Sequence, residues 1–250
     1  MARGMTLNVG GSIERGTRIS DIHVPQEMRK RLKSGLTFLD NAIGEGWVPS
    51  AVMMLTGTPG AGKTTMLLQL ANSITSAGHV CLYNTGEESL YQVKMVVERL
   101  GLRNDFYVNS DIMVQDLIDH AEQLRQTTGK QVFILQDSLQ TLDDGKYTNG
   151  ANSVTPLRCA EMLTEWAKKH FQNVVFIGQV NKDGSFNGKN AILHAIDIRG
   201  HLYVDDNKKS ETFGERIFEI TKNRFGSNGT SYILGLNSGG LYERGTLSWT

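Results

Sequence analysis

Nine consecutive residues, Gly57-Thr58-Pro59-Gly60-Ala61-Gly62-Lys63-Thr64-Thr65, have the types and spacing needed to hold phosphate. The first eight fit the pattern G-x-x-x-x-G-K-[ST], in which glycines let backbone N–H groups turn inward around phosphate oxygens. A helix starting there adds the partial positive charge of its N-terminus. Lys63 is the group that reaches the β and γ phosphates. Thr64 offers a hydroxyl to Mg²⁺, with Thr65 beside it at the helix start. The pattern carries this meaning only between a strand and a helix. Here Ala51–Leu55 is an unbroken apolar run before it, and Met66, Leu67, Leu70, Ala71 and Ile74 follow at helical spacing.

A phosphate loop of this kind also needs an acid at the end of a second strand to hold the metal through water. Asp137 follows the apolar run Val132–Leu135, although polar Gln136 interrupts the run just before it; Asp137 could instead be a helix cap or a loop acid. Gly86-Glu87-Glu88-Ser89 follows the run His79–Tyr83 and offers two adjacent carboxylates suited to polarising an attacking water. Adjacent side chains point apart, so only one of the two should face a γ-phosphate. Taken alone, the pair could be an acid cluster favoured at a helix start by the macrodipole.

These residues must be carried by an alternation of strands and helices. A helix is expected over Leu36, Leu39 and Ile43, stopped by Gly44-Glu45-Gly46 and Pro49. Then come a strand at 51–55, a helix after the phosphate loop, a strand at 79–83 and a helix at 90–100 ended by Gly101. A helix at 113–128, a strand at 131–135, a helix at 155–170 and a strand at 173–178 continue the pattern. This is an α/β domain with a mostly parallel central sheet and crossover helices. Beyond 198 the pattern changes to short β-type runs at 199–205, 215–222 and 230–236, with Asn237-Ser238-Gly239-Gly240 closing a last hairpin, so an antiparallel extension is expected at the C-terminal end. Residues 1–33, polar and ending in the basic run Arg29-Lys30-Arg31-Leu32-Lys33, read as an extended arm that packs on a neighbouring subunit or stays mobile; 34–250 read as the core.

Composition narrows the function classes. With 39% hydrophobic and 21% charged residues the 250-residue chain is ordinarily globular, which excludes a wholly disordered or collagen-like protein. Cys81 and Cys159 are too few for a disulfide framework or a four-thiolate zinc site and are expected to be buried thiols. No apolar run approaches a membrane span and the N-terminus lacks the apolar core of a signal peptide, so a cytoplasmic protein with no membrane contact is expected. Lys plus Arg and Asp plus Glu number 26 each. Any contact with a polyanion must therefore be local rather than driven by net charge.

With these pieces assembled the chain resembles a RecA-superfamily ATPase, and within it the ATPase core of the RadA/Sms branch of DNA repair proteins. Its carriers are the phosphate loop, Gly86-Glu87-Glu88-Ser89-Leu90, Arg99-Leu100-Gly101-Leu102, Lys182-Asp183-Gly184 after Gln179, and Lys222-Asn223-Arg224-Phe225-Gly226. The resemblance implies a RecA-like P-loop fold, ATP and Mg²⁺ as ligands, Glu87 as the catalytic glutamate and Glu88 as a second acid. It implies Gln179 as a γ-phosphate sensor, where the branch commonly has histidine. Lys222 and Arg224, two apart on an expected strand and so on one face, become cations that reach the nucleotide of a neighbouring subunit. Solvated strand positions paired with acids are the alternative. Val96 stands where the branch often has an arginine against the base, and Tyr91 or Lys94 are the substitutes.

Two loops are candidates for single-stranded DNA. The first, 143–155, contains Lys146 and Tyr147; the second, 180–195, contains Lys182, Phe186 and Lys189. Lysines that track phosphates and rings that stack on bases suit a single strand, and both loops could also be plain connections. The implied protein is a homo-oligomer, ring or filament, with ATP sites between subunits. It would hydrolyse ATP under stimulation by single-stranded DNA, promote annealing or strand exchange, and meet recombination or replication proteins. The chain has neither the cysteines of the branch's zinc module nor the length for its protease-like domain, so it resembles the stand-alone cores that phages encode. A hexameric helicase motor, or a KaiC-like regulatory ATPase that binds protein rather than DNA, are the alternatives.

Overall fold

Apolar runs without alternation imply strands buried on both faces, and the chain builds its sheet from them. A computed structural model describes residues 16–148, 150–179, 191–226 and 229–248. In chain order the elements are α1 (Gln26–Arg29), α2 (Thr37–Ala42), β1 (Val52–Gly57), α3 (Lys63–Ser76), β2 (Val80–Thr85), α4 (Leu90–Arg99) and β3 (Tyr107–Asn109). They continue with α5 (Val114–Thr128), β4 (Val132–Asp137), α6 (Thr155–His170), β5 (Asn173–Ile177), α7 (Ala191–Ala195), β6 (Ile198–Val204), β7 (Arg216–Asn223), β8 (Thr230–Asn237) and β9 (Gly240–Ser248). Short 3₁₀ turns lie at Ile19–Asp21 and Leu139–Thr141.

The nine strands form one sheet in the order β3-β2-β4-β5-β1-β6-β7-β8-β9. Pairing is parallel from β3 to β6 and antiparallel from β6 to β9. Successive side chains on a strand face opposite ways. Met53, Leu55, Cys81, Tyr83, Phe133 and Leu135 therefore pack with α2, α3 and α4. Val52, Met54, Leu82, Val132 and Ile134 pack with α5 and α6. Cys81 and Cys159 are free and buried, one in each half of the core.

Three features differ from the expectation. β3 is only three residues long and lies at the sheet edge, too short to give a periodic signal. Residues 191–195, expected as the end of a loop, form α7. The basic run at 29–33 is not extended throughout: Arg29 ends α1, the Leu32 backbone pairs with Trp47, and the Arg31 guanidinium donates to the carbonyls of Gly46 and Phe225. The chain is thus tied to the core before position 34.

One buried carboxylate joins the two regimes of the sheet. Asp197, 1% exposed at the entry to β6, accepts from Val52 N at 3.1 Å, Lys168 Nζ at 3.3 Å and an Arg224 guanidinium nitrogen at 3.1 Å. Removing it leaves a buried N–H and two cations unpaired. Asp197→Ala is expected to lower the unfolding free energy by about 3 kcal/mol, the low end for breaking a buried pair because both cations keep some water, read as a lower urea midpoint at unchanged denaturant slope.

Candidate active site

Strand register gathers the phosphate-binding and acidic residues. Thr85 pairs with Asp137, Gln136 with Phe176 and Leu55 with Ile177, so β2, β4, β5 and β1 end at nearly one level. The loops that leave those ends carry Glu87, Ser138, Gln179 and the phosphate loop. This is the carboxyl edge of a parallel sheet, where open α/β proteins bind ligands.

The phosphate loop is shaped by close packing. A Cβ on Gly57 would stand 1.8 Å from the carbonyl oxygen of Leu202 on β6, so only glycine fits. Gly62, the N-cap of α3, has φ 101°, a left-handed conformation that glycine adopts without a steric penalty. Arg216 of β7 donates from Nε to Ala61 O at 2.7 Å and braces the loop from behind. Gln69 of α3 holds the backbone of Leu241 on β9 from both sides, at 2.8 and 3.0 Å. The antiparallel extension therefore supports the loop, a role the spacing of its own residues did not announce.

The polar groups converge on a cleft of about 560 Å³ whose lining includes Gly60, Lys63, Thr64, Thr65, Glu87, Asp137 and Gln179. Pro59 lines it too, while Thr58 contributes its carbonyl, to which Lys63 Nζ donates at 3.0 Å, as it does to that of Gly57. Thr64 Oγ1 donates to Asp137 Oδ2 at 2.6 Å, and the Tyr83 hydroxyl to the same oxygen at 3.2 Å. Glu87 Oε1 accepts from Ser138 Oγ at 2.6 Å and from Gln179 Nε2 at 3.0 Å. The Asp137–Ser138 peptide bond is cis. Ser89 and Gln92 form a capping box at the start of α4, which leaves Glu87 and Glu88 outside the helix. Glu87 faces the cleft. Glu88 is not part of the lining, and its Oε2 is buried without a hydrogen-bond partner among the described residues.

Burial sets the electrostatics. It lowers the Lys63 pKa, with Asp137 and Glu87 opposing that shift. It also raises the Asp137 carboxyl above the usual range; hydrogen bonds from Thr64 and Tyr83 oppose this, and the charges of Glu87 and, less, Glu88 add to it. Hard oxygen donors on a buried carboxylate and a hydroxyl, beside a second carboxylate, form a set that a small divalent cation fits and whose mutual repulsion it would relieve.

Other expected residues lie elsewhere. Tyr91 is 85% exposed and Lys94 pairs with Glu98, so neither lines the cleft; Arg99 and Leu236 do, and neither had been singled out for a nucleotide base. Lys222 pairs across with Arg199, which in turn lies beside Met54, about 10 Å along the strands from Gly57 at 3.3 Å per residue. Its ammonium group donates to the carbonyls of Leu193 and Ile196. Arg224 lies just past β7 and holds Asp197 and His194 O. Both cations thus occupy the end of the sheet opposite their own phosphate loop. Lys146 is exposed, and Tyr147 is half exposed with the Arg158 guanidinium 4.9 Å from its ring centre. Lys182, Phe186 and Lys189 lie outside the described residues.

A glycine-rich loop between a buried strand and a helix, joined to an acid at the end of a second parallel strand, defines a P-loop ATPase, and the mostly parallel sheet with its antiparallel extension is a RecA-like fold. A family profile described as "ATPase: KaiC" matches residues 32–154. The chain is similar to bacterial RadA proteins: it is 36% identical over 219 residues to the DNA repair protein RadA of Haemophilus influenzae, covering 85% of this chain and 44% of that one. Against the DNA repair protein RadA of Listeria monocytogenes it is 32% identical over 242 residues, 95% of this chain and 50% of the other. The chain thus spans about half the length of these curated relatives. A DnaB-like replicative helicase shares the fold, with a TM-score of 0.73 over 84% of this chain and 61% of the other at 18% identity. No helix among the described residues is long and apolar enough to cross a membrane.

Because Asp137 is held above its ordinary pKa, its charge costs folding stability at every pH above the raised value. Asp137→Asn, which keeps an acceptor for Thr64, is expected to raise the urea midpoint of the nucleotide-free protein at pH 7.5. The gain should shrink as pH falls through the raised value and vanish below the ordinary carboxyl value of 3.8, where the wild-type group is protonated in both states.

Proposed function

We propose that the chain is a Mg²⁺- and ATP-dependent ATPase stimulated by single-stranded DNA, which assembles through shared nucleotide sites and promotes annealing or strand exchange in DNA recombination and repair. The observation that carries this reading is the bond from Gln179 to Glu87. Gln179 immediately precedes the loop of Lys182, Phe186 and Lys189, so a strand held by that loop can be felt at the acid. Kinship with DNA repair proteins supports DNA as the partner. A cytoplasmic location agrees with this reading.

Each side chain then has a task. Lys63 and the N-terminus of α3 hold the β and γ phosphates. Thr64 and Asp137 hold Mg²⁺, which when bound neutralises charge that develops on the phosphates. Glu87 accepts the proton of the attacking water, kept in place by Ser138 and Gln179. Glu88, outside the cleft lining, is not assigned the attacking water. Arg99 and Leu236 receive the base, a cation and an apolar surface against a flat ring. Lys222 and Arg224, at the far end of their own sheet, serve the γ-phosphate of a neighbour. Lys146 and Tyr147, with Lys182, Phe186 and Lys189, hold the single strand.

Steady-state ATPase assays with and without single-stranded DNA, run beside sizing in ATP, test the whole reading. Lys63→Ala is expected to abolish turnover and ATP-dependent assembly. Glu87→Gln should keep ATP bound and lose ~10²-fold or more in turnover; near-normal turnover, with Glu88→Gln inactive, would reassign the base. Lys222→Ala and Arg224→Ala should each lose turnover alone yet regain it when mixed with Lys63→Ala, because a hybrid interface pairs an intact loop with intact cations. Absence of rescue in demonstrated mixed assemblies would place both cations in a structural role. Lys146→Ala should flatten the slope of log DNA affinity against log salt by about 0.7.

A further inference from the structure

Gln136 breaks the apolar run of β4 one residue before Asp137, and its amide is fully buried. Beside it on β2 lies a second fully buried amide, Asn84, in register with it. Two polar groups in the middle of a parallel sheet are costly unless every donor and acceptor is met. Here they are met, and by groups from two different functional segments. Asn84 Nδ2 donates to Gln136 Oε1 at 2.7 Å. Gln136 Nε2 donates to Ser138 O at 2.8 Å and to Thr141 Oγ1 at 3.2 Å. In the other direction Asn84 holds both backbone groups of Asp111, accepting from its N–H at 2.8 Å and donating to its carbonyl at 2.9 Å.

Each end of this chain of bonds leads somewhere. Ser138 holds Glu87, and Thr141 packs so closely under the neighbouring turn that a Cβ on Gly86 would lie 2.2 Å from its hydroxyl. Beyond Asp111, Asp143 N donates to Ile112 O at 2.8 Å and Val114 N to Asp143 O at 2.9 Å, which anchors the start of the segment bearing Lys146 and Tyr147. Moving the 143–148 segment therefore strains Asp111 and Thr141 together, and the buried amides have no water with which to replace a lost partner.

We infer that Asn84 and Gln136 are positioning residues that tie the setting of Glu87 to the 143–148 segment. Nucleotide in the cleft is sensed at that segment, and by linkage whatever seats on the segment is sensed at Glu87. The inference rests on Glu87 acting at the cleft; it adds the route by which the first loop, rather than Gln179 and the second, reaches it.

Amide hydrogen exchange of the full chain with and without ATPγS and Mg²⁺ tests this without any DNA. In the wild type, the nucleotide should slow exchange at 143–148 as well as around the phosphate loop. Gln136→Met, close in volume, should bind ATPγS with affinity near the wild type's, lose the protection at 143–148 by about fivefold or more, and lower kcat with KM held. Thr141→Val removes the outer acceptor of Gln136 and the hydroxyl's own bond to Ser138 O, leaves the buried amides in place, and should give a smaller loss of the same kind, restored in Thr141→Ser. If Gln136→Met does not fold, this second pair decides. Protection and kcat unchanged in a folded Gln136→Met, or in Thr141→Val when Gln136→Met does not fold, would overturn the link, as would a wild type with no nucleotide-dependent protection at 143–148. Single-stranded DNA that fails to stimulate the wild type while the protection persists would count against the proposed partner and leave the link standing.

Discussion

One hydrogen bond, from the Thr64 hydroxyl to Asp137 at 2.6 Å, joins the phosphate loop on β1 to the acid on β4, with β5 lying between the two strands. It forms only if the three strands end at one level, and parallel pairing with crossover helices is what delivers that register. A one-residue slip in β4 would turn Asp137 to the opposite face of the sheet and bring Gln136 to the cleft side. The rest of the site follows from this alignment: Ser138 meets Glu87 because it follows Asp137, and Gln179 meets Glu87 because β5 ends beside β4.

The alignment has an electrostatic cost. Asp137 and Lys63 both resist the charge they carry, because burial removes water faster than their neighbours replace it. The sheet around the site must hold its backbone in place against that cost. The antiparallel extension does part of this through Arg216 on Ala61, β6 against Gly57, and Leu241 on Gln69. The other end of that extension points away, with Lys222 and Arg224 turned toward Asp197 and α7. One segment thus supports its own nucleotide site at one end and, at the other, ties β6 and α7 together through two cations.

Stretches whose meaning is local could be read from residue order alone. The nine residues from Gly57 to Thr65 announce phosphate through glycine spacing, and the apolar runs announce parallel strands, because both signals lie within a few positions of each other. Asp137 was recoverable for the same reason, as the acid ending such a run. Glu87 and Glu88 could not be told apart, since their difference is one of partners: Ser138 and Gln179, which are 51 and 92 positions away from Glu87, bond it alone of the two. Gln136 looked like a blemish in β4, and its partner Asn84 gave no signal at all, because a buried amide is explained only by the group across the sheet. The same holds for Arg99 and Leu236, which folding sets on the lining of one cleft, and for Arg216, which it sets behind the phosphate loop. Local chemistry follows from neighbours in the chain, whereas orientation and pairing follow from register between strands, and register is settled by burial of the whole sheet at once.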